Sequence, residues 1–252
     1  MNKDFVVIKF GSELVTSEEG INQGAIDHYA YGLSELYKEE KIIVVTSGAV
    51  RAGEAREKNK GRDIGSYDNV TLAQLGSMSI MHAWESAFDK VGVSAGSLLV
   101  THNEIEDLSE GPLFIQALNL AGDKEVASIV NANDALSNRE LMEFLKCSDN
   151  DGLALHIAVA VGAKVLKIFT KKGGIYDDDG NFISVVDRSN IHDIQKMLNI
   201  REKSSSKTGP GTGGMAKKNE AAWNGALAGI NSSISAVSDD MRGDLTTTFA
   251  AV

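Results

Sequence analysis

The amino-acid sequence predicts an α/β sandwich built on a largely parallel central sheet. Short β-branched runs alternate with helical patterns along the whole chain. Runs such as 42–46 (IIVVT) are continuously apolar, which is typical of strands that are buried on both faces of a parallel sheet. Ligands of such sheets bind beyond the carboxyl ends of the strands. Polar residues that follow predicted strands are therefore the candidates for a functional site.

Local patterns place the individual elements. Residues 5–10 (FVVIKF) form a β-branched run that stops at Gly11, which predicts the first strand. Residues 22–38 carry apolar side chains at helical spacing, which predicts the first helix. Further strands are predicted at 42–46, 97–101, 126–130, 164–170 and, as the final strand, 233–237; further helices at 48–58, 70–89, 112–121, 150–161, 190–198 and 215–228; and a hairpin turn at 177–181.

Composition limits the classes of function. A chain of 252 residues, of which 42% are hydrophobic, can bury a core in one large domain or two lobes. The net charge of −10 argues against nucleic acid as a partner, because phosphate backbones require an excess of Lys and Arg. The single cysteine, Cys147, excludes an intrachain disulfide and a cysteine-rich zinc site. No apolar run reaches transmembrane length and no signal-peptide pattern is present, so we expect a cytoplasmic protein that binds no membrane.

The most informative segment is 211–218 (GTGGMAKK), a glycine-rich loop that leads into a predicted helix. Bare backbone at a helix start offers unpaired N–H groups and the positive end of the helix dipole to a phosphate. A flexible linker is the alternative interpretation. The segment is not a Walker loop, because Met215 stands where the lysine should follow Gly214. We expect 202–214 to be irregular and to close over a ligand.

Other polar segments follow predicted strands. The segment 9–12 places a lysine near the end of a buried strand, where it is costly unless it points at a partner; an edge strand with a solvated lysine is the alternative. The segment 46–48 suits a small carboxylate, although an ordinary N-cap serine also explains it. The amide and carboxylate side chains of 131–134 and 149–152 can hold an amino acid, or can form an Asx turn and a helix cap.

Taken together, these segments resemble the amino acid kinase family, and within it the branch that phosphorylates L-glutamate. The resemblance implies a three-layer αβα sandwich of the carbamate kinase-like type, with an amino-acid lobe at about 1–155 and a nucleotide lobe at about 156–252. It also implies a kinase domain alone, without the RNA-binding-like PUA domain that many relatives add. The motifs that carry it, in the family's order within 6–222, are VVIKFGSELVT, IIVVTSGAVRAG, LAQLGSMSIMHAWE, LLVTHNEIED, IVNANDAL, SDNDGLALHIA and GTGGMAKKNEAA.

The activity that the resemblance implies is ATP-dependent phosphorylation of the side-chain carboxylate of L-glutamate to L-glutamyl 5-phosphate, the first step of proline synthesis. ATP and Mg²⁺ are the implied cofactors, with Mg²⁺ bridging the phosphates and taking few ligands from the protein. A dimer or tetramer of identical chains is expected. Two alternatives stay open, namely a related enzyme with another acid substrate and a non-catalytic member that binds an amino acid or a nucleotide.

The resemblance also assigns roles to individual residues. Lys9 and Lys218 would stabilise the charge of the transferred phosphoryl group, and Asp151 would hold both lysines. The substrate site would comprise Ser47, Gly48, Asn131, Asp134, Asp149 and Asn150. The nucleotide site would comprise Gly11, Ser12, Thr170, Lys171, Gly211, Thr212, Gly213, Gly214, Met215 and Lys217.

Several positions depart from the family pattern. Ala132 replaces the usual glutamate, Ser148 replaces a glycine, and Lys171 replaces the aspartate that usually follows the threonine of the nucleotide lobe. Lys217 takes the place of the usual threonine, so two adjacent lysines are candidates for the catalytic position. The alignment of the motif assigns that position to Lys218.

Overall fold

The computed structural model describes residues 3–100, 113–133, 150–204 and 214–251. Strands and helices alternate along these ranges. The strands are β1 Phe5–Phe10, β2 Thr16–Ser17, β3 Gly20–Ile21, β4 Lys41–Val45, β5 Ala95–Val100, β6 Ala127–Ala132, β7 Val165–Phe169, β8 Ile175–Tyr176, β9 Phe182–Ile183, β10 Val185–Asp187, β11 Asn231–Ala236 and β12 Asp244–Ala250. The helices are α1 Ser12–Val15, α2 Gln23–Tyr37, α3 Ala49–Asn59, α4 Asn69–Lys90, α5 Leu113–Asp123, α6 Asn150–Ala160, α7 Ile191–Ser204 and α8 Met215–Leu227, with a 3-10 turn at Ile64–Ser66.

Eight of the described strands form one sheet in the order β10-β12-β11-β7-β1-β4-β6-β5. The strands from β11 to β5 are mutually parallel, whereas β12 runs antiparallel to β11. One face of the central strands packs on α2 and α4, and the other face packs on α5 and α6. The arrangement is a three-layer αβα sandwich, so the predicted fold class is confirmed.

The alternation of side chains along β1 decides where its lysine points. Ile8 and Phe10 belong to the core cluster shared with α2 and α4, whereas Val7 belongs to the cluster on the opposite face. Lys9 has the parity of Val7, since successive side chains of a strand point to opposite faces. The side chain of Lys9 is therefore directed to the face that α6 covers.

Helices α3 and α4 cross at two glycines. A Cβ at Gly53 would overlap the carbonyl oxygen of Leu72, and a Cβ at Gly76 would overlap the carbonyl oxygen of Ala49. The two backbones therefore approach each other more closely than any residue with a side chain would permit. This contact fixes α3, whose first residue directly follows the predicted substrate residues Ser47 and Gly48.

Two predictions about elements are wrong. Helix α7 runs to Ser204, so Glu202 lies in its last turn and not in an irregular segment. The strand predicted at 233–237 is not the final one, because β12 follows it. The sequence of β12 is polar and lacks the apolar pattern of a strand. Thr247 can nevertheless be buried, because its hydroxyl accepts from Ile175 N and donates to Ile183 O.

Helix α6 spans the point near residue 155 at which two lobes are expected to meet, and the division into lobes stays a prediction. Among the described helices, none combines the length and the apolar character that crossing a membrane requires. The predicted loop closure at 205–213 lies outside the described residues.

We expect Gly76→Ala to destabilise the protein by about 1–3 kcal/mol, because the added methyl group must push two helix backbones apart. Gly24→Ala is the matched control, since that glycine also lies in a helix but its Cβ would meet no atom closer than 4.0 Å. The control should be neutral or stabilised by up to about 1 kcal/mol, because alanine is the better helix former. Urea unfolding of both variants measures the difference, and equal effects would contradict the packing argument.

Candidate active site

A buried ion cluster lies at the carboxyl edge of the sheet, where β1 ends. Lys9 Nζ lies 2.8 Å from Asp151 Oδ1, and Lys218 Nζ lies 2.8 Å from Asp151 Oδ2. All three side chains are buried. Lys9 comes from β1, Asp151 from the first turn of α6 and Lys218 from the first turn of α8. The fold thus brings together three residues that are distant in the sequence.

Among the described residues, the cluster carries more positive than negative charge, because one carboxylate faces two ammonium groups. Burial alone would raise the pKa of Asp151. The charges of Lys9 and Lys218, and the hydrogen bonds they donate, outweigh burial and hold that pKa below its ordinary value. Excess charge is costly in a buried place. The arrangement therefore favours the approach of an anion to the two lysines.

An amide network lies beside the ion cluster. Asn150 Nδ2 donates to Ser47 Oγ at 2.8 Å and to Asn131 Oδ1 at 3.2 Å. Asn150 Oδ1 accepts from the backbone N–H of Ala132 at 3.4 Å. Asn131 is fully buried, and its Nδ2 has no hydrogen-bond partner among the described residues. Because α6 begins here, Asn150 joins the ends of β4 and β6 to the residue that holds the two lysines.

Contacts with the core and a glycine helix cap fix the segment that follows β4. Gly48 caps α3 with a φ of 107°, a left-handed conformation that favours glycine. The indole Nε1 of the buried Trp84 donates to Thr46 Oγ1 at 3.0 Å. The indole of Trp84 therefore does more than fill the core. It holds the loop that carries Ser47 against the core.

Gly11 and Ser12 follow directly after the strand that carries Lys9. Gly11 caps the short helix α1, and Ser12 is its first residue. The Ser12 side chain is buried, and its Oγ has no hydrogen-bond partner within the described parts of the chain. A buried hydroxyl without a partner costs free energy, so this position suits a ligand that bears hydrogen-bond acceptors or donors.

Thr170 and Lys171 lie at the end of β7. Thr170 Oγ1 donates to Gly173 O at 2.5 Å, and Thr170 N donates to Ser235 O at 2.9 Å. The threonine side chain therefore shapes the turn after β7. Lys171 is exposed.

The first turn of α8 separates the two candidate lysines. Gly214 caps the helix without a side chain, and Met215 is the first helical residue. Lys218 is buried against Asp151, whereas Lys217 is exposed. Glu202, a residue that sequence reasoning did not single out, contacts this turn: its Oε1 accepts from Ala216 N at 2.8 Å.

The remaining predicted residues lie outside the described ranges. They are Asp134, Asp149, Gly211, Thr212 and Gly213. Among the residues that the structure describes, no three His, Cys, Asp or Glu side chains cluster as metal ligands would.

Comparison with known proteins shows the family to which this chain belongs. Residues 4–234 match the model of the amino acid kinase family. The chain belongs to that family. It is 30% identical over 239 residues to a protein named Glutamate 5-kinase from Rhodococcus jostii, covering 93% of this chain and 63% of the relative. It is 32% identical over 176 residues to a Glutamate 5-kinase from Acinetobacter baylyi, covering 69% and 46%. The chain thus spans about half to three fifths of the length of these relatives.

Solved structures share the fold at low identity. Carbamate kinase from Giardia lamblia bound to AMP-PNP superposes with a TM-score of 0.66 at 14% identity, over 99% of each chain. UMP kinase from Ureaplasma parvum superposes with a TM-score of 0.61 at 13% identity, over 99% of this chain and 97% of the kinase. These likenesses support the three-layer architecture.

We expect acid to remove a stabilising contribution of Asp151. Its folded pKa lies below the ordinary value of 3.8, so the contribution is complete above pH 3.8 and is lost as the pH falls through the folded value. In the double variant Lys9→Met/Lys218→Met, burial acts without the ammonium groups, which raises the pKa of Asp151 and reverses the sign.

Urea unfolding between about pH 6 and about pH 3 measures both proteins. The free energy of unfolding should fall more steeply towards low pH in the unchanged protein than in the double variant. Lys218→Met alone should lie between them. Identical pH dependence in all three would show that the ion cluster does not set the pKa of Asp151.

Proposed function

We propose that the chain is an ATP-dependent kinase that transfers a phosphoryl group to the side-chain carboxylate of L-glutamate and releases L-glutamyl 5-phosphate. The observation that carries this proposal is the pair of buried lysines on Asp151. Phosphoryl transfer demands positive charge around three oxygens and in-line placement of the reactants, and it demands little covalent chemistry from the protein. Membership of the amino acid kinase family supports the same reaction class.

The reaction requires no base on this reading. A carboxylate oxygen of glutamate attacks the γ-phosphorus of ATP, and the bond from that phosphorus to the oxygen bridging to ADP breaks. The nucleophile is already anionic, so no proton has to be removed. Lys9 and Lys218 would stabilise the charge that shifts from the γ-phosphoryl group to the leaving oxygen, and Asp151 would keep both ammonium groups in position.

The network of Ser47, Asn131 and Asn150 is proposed to hold glutamate. Asn131 Nδ2, which has no partner among the described residues, offers a hydrogen-bond donor. Asn150 connects Asn131 to the Ser47 hydroxyl, because its Nδ2 donates to both side chains. Amide and hydroxyl groups of this kind suit the carboxylate and ammonium groups of an amino acid. The names of the curated relatives support glutamate as the substrate.

The nucleotide is proposed to place its phosphates between the Gly11–Ser12 backbone and the start of α8. Ser12 Oγ is buried without a partner among the described residues, and both segments begin with a glycine. A helix start with bare backbone favours phosphate oxygens. Mg²⁺ would supply positive charge that neutralises the phosphates, and the described residues offer it no clustered ligands.

A panel of acceptors tests the proposal. Purified protein is supplied with ATP and Mg²⁺, and ADP formation is measured with L-glutamate, L-aspartate, N-acetylglutamate, carbamate and UMP. We expect turnover with L-glutamate above all. Turnover with a different acceptor would support the second candidate, a family enzyme with another acid substrate. Binding of ATP without turnover of any acceptor would support a non-catalytic member, for which the departures at Ala132 and Lys171 are the motivation.

We expect Lys9→Ala and Lys218→Ala each to lower kcat by about 10²–10³-fold, because each removes charge that acts in the transition state. Lys41→Ala is the matched control. Lys41 lies at the opposite end of the neighbouring strand β4, and its Nζ lies 2.7 Å from Asp123 Oδ1. Its kcat should stay within about twofold of the unchanged protein, since its surface ion pair contributes little. Circular dichroism verifies that each variant is folded. If Lys217→Ala were crippling and Lys218→Ala harmless, the assignment of the catalytic lysine would be wrong by one residue.

A further inference from the structure

The start of α8 is occupied by a carboxylate of the protein itself. Glu202 lies in the last turn of α7, and its Oε1 accepts from Ala216 N at 2.8 Å. Gly214, the N-cap of α8, contributes no side-chain hydrogen bond. Glu202 therefore takes the capping role that the N-cap residue leaves vacant.

The carboxylate lies directly on bare backbone. A Cβ at position 214 would overlap the Glu202 carboxylate, so the carboxylate can take this position only because residue 214 is a glycine. A negative group is favoured at a helix start by the exposed N–H groups and the helix dipole. The contact demonstrates that the first turn of α8 accepts an anion.

A glutamate carboxylate also lies close to the second glycine of the proposed phosphate site. A Cβ at Gly11 would lie 2.5 Å from Glu13 Oε2 and 2.6 Å from Glu13 Oε1. Both glycine backbones that would face nucleotide phosphates are thus covered by a glutamate side chain. Two separate segments of the chain, α1 and α7, supply these side chains.

We propose that Glu202 is a built-in competitor of the nucleotide phosphates, and this rests on the proposed nucleotide site. Ala216 N and Lys218 belong to the same first turn of α8, so the proposed phosphate site and the contact of Glu202 share this turn. A carboxylate and a phosphate oxygen cannot both accept a good hydrogen bond from the same N–H, and their like charges repel each other. Glu202 caps α8 in the free protein and leaves when ATP or ADP binds, which lowers the apparent nucleotide affinity.

The variants Glu202→Ala and Glu202→Gln test this competition. Glu220→Gln is the matched control, because Glu220 is an exposed glutamate on α8 itself, beyond the first turn. Calorimetry gives the Kd of ATP, ADP and adenosine for each protein. We expect Glu202→Ala to bind ATP and ADP about two- to fivefold more tightly, which is the size of a carboxylate's contribution at a helix start. Adenosine, which has no phosphate, should bind equally to all variants.

Thermal unfolding supplies a second readout. Glu202→Ala should melt at a lower temperature than the unchanged protein without nucleotide, because α8 loses its cap, and the difference should disappear at saturating ATP. Glu202→Gln keeps the shape and removes the charge, so it should show the affinity gain with a smaller loss of stability.

The outcomes separate the two proposals. If the unchanged protein binds ATP but both Glu202 variants bind it equally or more weakly, the competition is wrong and the nucleotide site stands. If tighter binding extends to adenosine, Glu202 does not act on the phosphates and the competition is again wrong. If the unchanged protein binds no nucleotide, the proposed function fails and the competition fails with it.

Discussion

The architecture of the site depends on one carboxylate that holds two ammonium groups away from bulk water. Asp151 is fully buried, and each of its oxygens lies 2.8 Å from a lysine nitrogen. An unpaired buried charge is strongly unfavourable, so the carboxylate of Asp151 offsets the cost of burying Lys9 and Lys218. The ion cluster therefore locks three elements of the fold together, namely the central strand β1, the start of α6 and the start of α8. Among the described residues it also has an excess of positive charge, which the proposed transfer of a phosphoryl group would use.

The surrounding elements serve to present groups at this point. Parallel strands end at one edge of the sheet, so the residues after β1, β4, β6 and β7 converge there. Asn150 ties two of those strand ends to the residue that anchors the lysines. The close crossing of α3 and α4 at Gly53 and Gly76 fixes the helix that follows the proposed substrate loop. Hydrogen bonds and close helix packing thus hold the proposed amino-acid side of the site, and the capping glutamate at α8 is the contact that we propose a nucleotide displaces.

Much of the fold was predictable because its signals are local. Apolar runs mark β1 and β4, and helical spacing marks α2. The sequence pattern does not predict β12, because its inward residues include the polar Thr247. Two hydrogen bonds to other strands satisfy this side chain in its buried position. The end of α7 was missed because its polar last turn has no apolar pattern. Gly32 illustrates the same limit: within α2 it lowers helix propensity, yet a Cβ there would lie 2.7 Å from Asp239 O and 2.8 Å from Met241 Cγ.

The sequence by itself determined the kinds of groups at the site, because residue types and their positions after strands are written in the chain. Lysine, asparagine and glycine at strand ends and helix starts indicate an anion and an amino acid as ligands. Tertiary structure alone decided which of the adjacent lysines faces inward. The rotation of α8 about its axis is set by packing against α6 and α7, and that rotation buries Lys218 on Asp151 while Lys217 is exposed. Packing likewise seats the Glu202 carboxylate on Gly214, a contact between two helices that no local pattern encodes.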